Sequence, residues 1–335
     1  MARVKARTER ALADYLTAEE ARRAELGPAV AEVLAAVRSL ATRGGKRFRA
    51  VLAACAYEGA GGDPAVFDGA LVALELLQVY FLVHDDWMDG DLVRRGGPTV
   101  HAMLRERRSE QLGDAAAILA GDWACAAAQE ALATVRVSAD RSAEAARAFA
   151  RMQSDVVCGQ ILDVFAESLT EAAVERMHAL KTGAYTVRGP LELGAALAGA
   201  SPDHVRALVA FAEPLGIAFQ LRDDLLGTFG DPAVTGKPRY GDLAQKKRTC
   251  IVVSALASDA ARGEVERLLA IPQPTEDDAA RAARAIEAAG IRASVEERLG
   301  ALLAQAGSRL ASVPTSREAR AVLEGAVSAL GERAS

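Results

Sequence analysis

Three carboxylates stand close together in the stretch Glu75–His101, ELLQVYFLVHDDWMDGDLVRRGGPTVH: Asp85, Asp86 and Asp89. On a helix Asp85 and Asp89 lie about one turn apart on one face. Anions that close repel each other unless a cation sits between them. Hard oxygen donors suit Mg2+, which binds through one or two carboxylates and completes its shell with water and phosphate. Arg94 and Arg95 follow within a few residues. Two guanidiniums beside a carboxylate–metal cluster fit a polyanion such as a diphosphate. The plainer account of the same residues is a solvated acidic helix end followed by a basic turn.

The stretch Phe219–Asp231, FQLRDDLLGTFGD, repeats the pattern. Asp223 and Asp224 follow an apolar helical run, and Lys237, Lys246 and Lys247 come after them. Two acid-then-base constellations could hold several Mg2+ ions around one diphosphate. A third segment, Arg43–Arg49, reads RGGKRFR. Its glycines free the backbone, and its cations precede a helix start, where an anion is favoured. By itself this segment reads as a basic loop in solvent.

Helices must position these groups. Alanine and leucine dominate, aromatics are few and β-branched runs are short, a composition that favours helix. Residues 8–40 read as two helices broken at Leu26-Gly27-Pro28, with Val30, Val33, Leu34 and Val37 at helical spacing in the second. A helix over 50–59 follows, then a loop in which Asp63 caps beside Pro64, and a central helix over 65–89 that carries the first carboxylates. A loop is expected over 90–99. Further helices are expected over 109–132 (with Asp122 a polar contact rather than a ligand), 141–166, 171–199 and 203–227. A loop over 239–245 then leads to a helix over 250–269, a turn at 271–275 and helices over 276–289, 291–312 and 315–332. The expected fold is all-α: a single domain over residues 1–335, with helices around a deep central cavity.

The formal net charge of −5 carries no basic bias, which argues against a nucleic-acid partner. The four cysteines, Cys55, Cys125, Cys158 and Cys250, lie scattered in apolar contexts, as small core residues in a reducing compartment would. MARVKARTER lacks the apolar core of a signal peptide, and charges interrupt the longest apolar stretches before they could span a bilayer. A soluble cytoplasmic protein is expected.

HDDWMD followed by RRGGPTVH, and FQLRDDLLGTFGD followed by TGKP, resemble the two aspartate-rich motifs of the trans-isoprenyl diphosphate synthases, or polyprenyl synthetases. The resemblance covers about residues 40–255, with the motifs in the family's order. It implies Mg2+ as cofactor, held by Asp85, Asp86, Asp89, Asp223 and Asp224. Arg94, Lys181, Lys237 and Lys247 would meet the departing allylic diphosphate, with Thr182 and Gln220 as polar partners. Lys46, Arg49, Gln78 and Arg95 would hold isopentenyl diphosphate. Gly159-Gln160-Ile161-Leu162-Asp163 fits a segment that lines the allylic site. The implied catalytic set is Asp85, Asp89, Arg94, Lys181, Asp223 and Lys237, and a homodimer is implied by resemblance alone.

Two positions depart from the family pattern. Gly227 stands where a third aspartate is usual, leaving Asp224 or Asp231 to share its load, and Gly97 stands where many relatives have lysine. Tyr80 and Phe81, five and four residues before Asp85, resemble the aromatic floor of the short-chain synthases. The expected product is farnesyl diphosphate, with geranylgeranyl diphosphate next. Two rival readings are a class I terpene cyclase, against which Lys46, Arg49, Arg94 and Arg95 argue, and a non-catalytic partner subunit, toward which Gly227 points.

Overall fold

Alanine- and leucine-rich segments with polar caps fold into helices along almost the whole described chain. The computed structural model describes residues 1–165, 170–232 and 239–331. Among them the only strands are the two-residue pair of one hairpin, in keeping with the expected all-α class. The chain divides into two compact units, Met1–Phe149 with Pro190–Ala200, and Ala150–Gly189 with Ser201–Ser335.

The first unit holds α1 (Ala2–Arg22), α2 (Pro28–Thr42), α3 (Phe48–Gly59), α4 (Asp68–Asp89), the short α5 (Val100–Arg105) and α6 (Glu110–Ala133). Gly27, at φ 95, and Pro28 at the first helical position make the expected break before α2. Every residue of α4 from Ala70 to Leu77 is buried, as suits a helix that is apolar on all sides at the centre of a core. α6 packs along α4, and its buried row of small residues, including Ala117, Ala120, Gly121 and Ala124, permits a close approach. Ser109 caps α6 by accepting from the Leu112 backbone N–H at 3.3 Å, an interaction typically worth about 1 kcal/mol.

One buried ion pair ties the basic 43–49 segment to α4. Arg47 donates from Nη1 to Glu75 Oε2 at 2.5 Å and from Nη2 to the Ala41 carbonyl at 3.0 Å. Both side chains are almost fully buried. Removing either partner would strand the other charge, at a cost of about 3–5 kcal/mol.

α4 stops at Asp89, where Gly90 adopts the left-handed conformation that ends a helix. The stretch after it is not the plain loop expected. Val93 pairs with Pro98 and Arg94 with Gly97 in an antiparallel hairpin of strands β1 (Val93–Arg94) and β2 (Gly97–Pro98). Its two central residues, Arg95 at φ 53 and Gly96 at φ 72, have the positive φ pair that a two-residue type I′ turn requires.

The helices α7 (Ala139–Val164) and α9 (Gly189–Ala198) belong in part to each unit. The second unit also holds α8 (Glu171–His178), α10 (Pro202–Phe229) and a series of shorter helices from Gly241–Ala244 to Arg317–Gly331. One helix is expected over 171–199, but Ala179–Arg188 winds as a π-helix instead. Glycines allow neighbours to press on this stretch. A Cβ on Gly159 would meet the Lys181 backbone at 2.6 Å, and one on Gly216 would meet Gly183 Cα at 3.3 Å. Wider π turns of this kind recur at functional sites. The helix expected over 250–269 is also two, because Ser258 turns extended after Cys250–Ala257. Arg262, the first residue of the next helix, donates back to the Leu256 carbonyl at 2.8 Å. α10 starts as the sequence suggests, with Ser201 accepting from His204 N at 3.3 Å and Pro202 in the first turn. Its Leu221 and Leu225 join Ile251, Val252 and Ile286 in the core of this unit.

Candidate functional site

At the end of α4 helical periodicity separates adjacent aspartates. Asp85 is half-buried, Asp89 is exposed, and Asp86 is completely buried. The hairpin returns Arg94 to this point. Its Nε donates to Asp86 Oδ1 at 2.7 Å, and Nη2 also pairs with Asp86. The same Nη2 lies 3.8 Å from Asp85 and 3.4 Å from Asp91. Burial pushes the Asp86 carboxyl up to about 6, while the Arg94 guanidinium opposes the shift. Arg94 is thus gathered among Asp85, Asp86 and Asp91, a role beyond the diphosphate contact expected of it.

α10 repeats the arrangement with different partners. Asp223 is exposed, whereas Asp224 is 1 % exposed. Asp224 accepts from Gln220 Nε2 at 2.7 Å and from the Cys250 backbone N–H at 3.0 Å. Burial pushes its carboxyl up to about 7, against the pull of those two hydrogen bonds. Gln220, expected as a substrate partner, therefore holds Asp224. Gly227, one turn beyond Asp223, is buried, and a Cβ on it would overlap the carboxylate of Asp242. Lys247 Nζ lies 4.0 Å from that carboxylate. Lys246 turns away to the Pro272 carbonyl at 3.4 Å. Asp231 is exposed. Lys237 and the TGKP segment lie outside the described residues.

Three residues expected to hold isopentenyl diphosphate converge. With its amide oxygen turned toward them, Gln78 accepts from Arg49 Nη1 at 3.2 Å and Arg95 Nη2 at 2.8 Å. Lys46 is exposed on the adjoining loop. Gly97 lies under another cation, since a Cβ there would meet the Arg43 guanidinium carbon at 2.7 Å. Arg43 is held by the Pro98 carbonyl at 2.5 Å and Ser39 Oγ at 2.7 Å.

The residues expected around the allylic diphosphate form a second group. Lys181, in the π-helical stretch, donates to Asp163 Oδ2 at 2.7 Å. Arg248, absent from the sequence reading, donates to the Asp163 carbonyl at 2.9 Å. Gln160 Nε2 is a buried donor without a protein partner among the described residues, and an anion would satisfy it. Thr182 is half-buried beside Lys181. One turn before Asp85, Tyr80 and Phe81 have ring centroids 4.9 Å apart, and Tyr80 meets the His84 ring edge-on, also at 4.9 Å. His84 Nε2 reaches the Ile118 carbonyl at 3.2 Å and lies 3.8 Å from Asp122, which is exposed as a polar surface contact.

The sequence reading missed Arg47, Glu75, Asp91, Asp242, Arg43 and Arg248. Glu75 carried a usable signal, because a carboxylate inside the apolar run ALVALELLQV needs a partner if the helix is buried. Asp242 carried none, being fifteen residues from the glycine it covers.

A nearly all-helical chain with two helix-borne aspartate motifs has the all-α fold of the isoprenyl synthases. Residues 30–287 match the polyprenyl synthetase family, and the chain belongs to it. It is 38 % identical over 221 residues to (2E,6E)-farnesyl diphosphate synthase of Mycobacterium tuberculosis, a match covering 65 % of this chain and 59 % of that protein. Over 279 residues it is 36 % identical to geranylfarnesyl diphosphate synthase of Aeropyrum pernix, covering 81 % of this chain and 84 % of the relative. The crystal structure of geranylgeranyl pyrophosphate synthase from Corynebacterium glutamicum, complexed with isoprenyl diphosphate and magnesium, superposes with a TM-score of 0.91 at 34 % identity over 97 % of each chain.

Proposed function

We propose that the chain is a short-chain trans-prenyltransferase, formed as one polyprenyl synthetase domain, that joins isopentenyl diphosphate to an allylic diphosphate. The observation that carries this reading is the convergence of Arg49 and Arg95 on Gln78, beside a helix that ends in Asp85 and Asp89. A cyclase that ionises one substrate has no use for that second anion site.

The donor chemistry fits Mg2+. Asp89 and Asp223 are exposed and Asp85 is half-buried, while Asp86 and Asp224 are buried against Arg94, Gln220 and the Cys250 backbone. Asp85 and Asp89 in the first motif, and Asp223 in the second, would each hold Mg2+, and Asp86 and Asp224 would fix the backbone that presents them. Bound Mg2+ supplies neutralising charge for a leaving diphosphate. Lys181 and Lys247 bind that diphosphate, together with Lys237, and the Gln160 amide orients it. Arg49, Gln78 and Arg95, with Lys46, retain the diphosphate of the second substrate, which must not leave. As ionisation develops an allylic cation, the isopentenyl double bond attacks it, and a proton passes to the departing pyrophosphate. Preorganised charge aimed at the leaving group is the main source of rate in such a site.

Tyr80 and Phe81 would form the floor under the growing chain and give a farnesyl or geranylgeranyl product. The relatives named above carry products of three different lengths, so the floor residues are the basis for this choice. No described helix is long and apolar enough to cross a membrane, and the protein is proposed to work in the cytoplasm as a homodimer.

The test is to incubate purified protein with Mg2+, labelled isopentenyl diphosphate and each allylic starter, and to resolve the products by length. A labelled fifteen- or twenty-carbon diphosphate is expected. Absence of label from every product would overturn the reading, and activity only after mixing with a second synthase would favour a partner subunit.

A further inference from the structure

We infer that Arg43 is a positioning residue for isopentenyl diphosphate, a guanidinium clamp across the hairpin that carries Arg95, lodged in the space that Gly97 leaves open. The inference rests on the function proposed above and extends it to a residue that acts through others.

The hairpin needs such a clamp. It has two pairs of residues, Val93 with Pro98 and Arg94 with Gly97. Pro98 has no N–H to give the ladder, and Gly97 has no side chain to pack across it. The turn holds Arg95 at φ 53, and a non-glycine residue keeps a left-handed conformation only where its surroundings enforce it. So short a hairpin is marginal by itself.

Arg43 reaches both strands. From Nη1 it donates to the Pro98 carbonyl on β2 at 2.5 Å and to the Arg94 carbonyl on β1 at 3.3 Å. From Nη2 it donates to Ser39 Oγ at 2.7 Å, one turn back on α2, and meets Met103 Sδ of α5 at 3.5 Å. Its terminal nitrogens are taken up by protein acceptors, which makes Arg43 a support for the site rather than a ligand of the substrate. Gly97 makes the place for it. A Cβ there would come within 2.7 Å of the guanidinium carbon and of Nη1. Gly97 is not at positive φ, so the nearness of Arg43, rather than the backbone, is what requires glycine.

The tie runs in both directions. Arg95 Nη1 donates to the Gly44 carbonyl at 3.4 Å, next to Arg43 in the chain, and its Nη2 reaches the Gln78 amide oxygen at 2.8 Å. Arg43 thus fixes the hairpin to the same loop that Arg95 grips, and Arg95 is delivered beside Arg49 at Gln78. Arg94 has an anchor of its own in Asp86. Loss of Arg43 therefore falls on Arg95, and on the diphosphate that Arg95 would hold, rather than on the aspartate cluster.

The experiment compares the full wild-type chain with Arg43→Ala, Arg43→Lys, Gly97→Ala and Gly97→Ala/Arg43→Ala. It reads isopentenyl diphosphate binding by isothermal titration calorimetry, steady-state kinetics for both substrates, and melting temperature. Arg43→Ala is expected to weaken isopentenyl diphosphate binding and to raise its KM about 10-fold, the worth of one charge-assisted hydrogen bond, while the KM for the allylic diphosphate holds. Arg43→Lys should behave like Arg43→Ala, because an ammonium keeps the charge but not the planar fork that bridges two carbonyls. Gly97→Ala should shift binding in the same direction with Arg43 still present, and the double variant should be no worse than Arg43→Ala. An Arg43→Lys variant that binds as wild type does would show that charge alone matters and would overturn the clamp. Equal rises in both KM values, or folded variants that all bind isopentenyl diphosphate as wild type does, would overturn the inference while leaving the proposed function standing. Wild type that binds no isopentenyl diphosphate would bring down the proposed function, and the inference with it.

Discussion

The two aspartate motifs solve one problem with different materials. Each puts an accessible aspartate beside a buried one, Asp85 beside Asp86 and Asp223 beside Asp224. In the first, the buried carboxylate is locked by charge, through Arg94 on a hairpin eight residues away. In the second, the lock is neutral and distant, made by the Gln220 amide and a backbone N–H from Cys250, 26 residues along the chain. An ionic lock is strong but leaves a stranded charge when broken, whereas a neutral one fails gently. The position four residues after the outer aspartate also differs, being Asp89 in one motif and Gly227, covered by the Asp242 carboxylate, in the other.

Outer aspartates should show the largest effects. Asp85→Asn and Asp223→Asn are each expected to reduce turnover about 10³-fold, in line with loss of one preorganised charge at a leaving group, with little change in melting temperature. Steady-state kinetics beside a thermal melt checks both halves of this statement. A large drop in stability with turnover intact would reverse the assignment of outer and inner residues.

Breaking the locks comes next. Arg94→Ala leaves Asp86 buried without its cation and should cost about 3–5 kcal/mol of stability. Gln220→Ala removes one neutral hydrogen bond and should cost about 1–3 kcal/mol. Denaturant unfolding of the two variants side by side gives the comparison, and equal losses would erase the distinction between ionic and neutral locks.

The smallest effect is one of pH. The Asp224 carboxyl rises from an ordinary 3.8 to about 7 on folding, so the folded chain keeps a proton that the unfolded chain has released in between. Its contribution to stability therefore falls as pH rises through that window and is level above it. Asparagine cannot titrate, and Gln220 can turn its amide to meet it. Relative to Asp224→Asn, wild type should lose melting temperature from pH 4 to 7 and then run parallel. His178, pushed down to about 4 by burial, has the opposite slope, and its ring nitrogen lies within 4.8 Å of the Asp224 carboxylate, so its titration is followed in both proteins alongside the melts. A difference that is flat from pH 4 to 7 would mean that Asp224 stays ionised throughout.

The same contrast explains what the sequence could reveal. The first motif is legible because its carboxylates, its turn glycines and Arg94 lie within one short stretch, and helical periodicity alone separates Asp85 and Asp89 from Asp86. Its hairpin was harder to foresee, since Arg95 at positive φ gives no compositional sign of a type I′ turn. The second motif is legible only in Asp223 and Asp224. Apart from Gln220, one helical turn before Asp224, their partners come from Cys250 and the 240–247 segment, and no periodicity links residues across such a gap. The π-helical turn around Lys181 was hidden for a related reason, because the glycines that let neighbours approach it closely lie in α7 and α10 rather than in its own sequence. Both departures from the family pattern, Gly97 and Gly227, read as losses in one dimension. In the fold each glycine lies under a charged side chain from elsewhere, Arg43 in one case and Asp242 in the other.

The division between an outer aspartate that holds the cation and an inner one that holds the protein is tested most directly by counting bound Mn2+ in Asp85→Asn and Asp86→Asn, each folded and supplied with pyrophosphate. Asp85→Asn should lose metal at the first motif, and Asp86→Asn should retain it at lower thermal stability. Loss of metal from Asp86→Asn equal to that from Asp85→Asn would contradict the account.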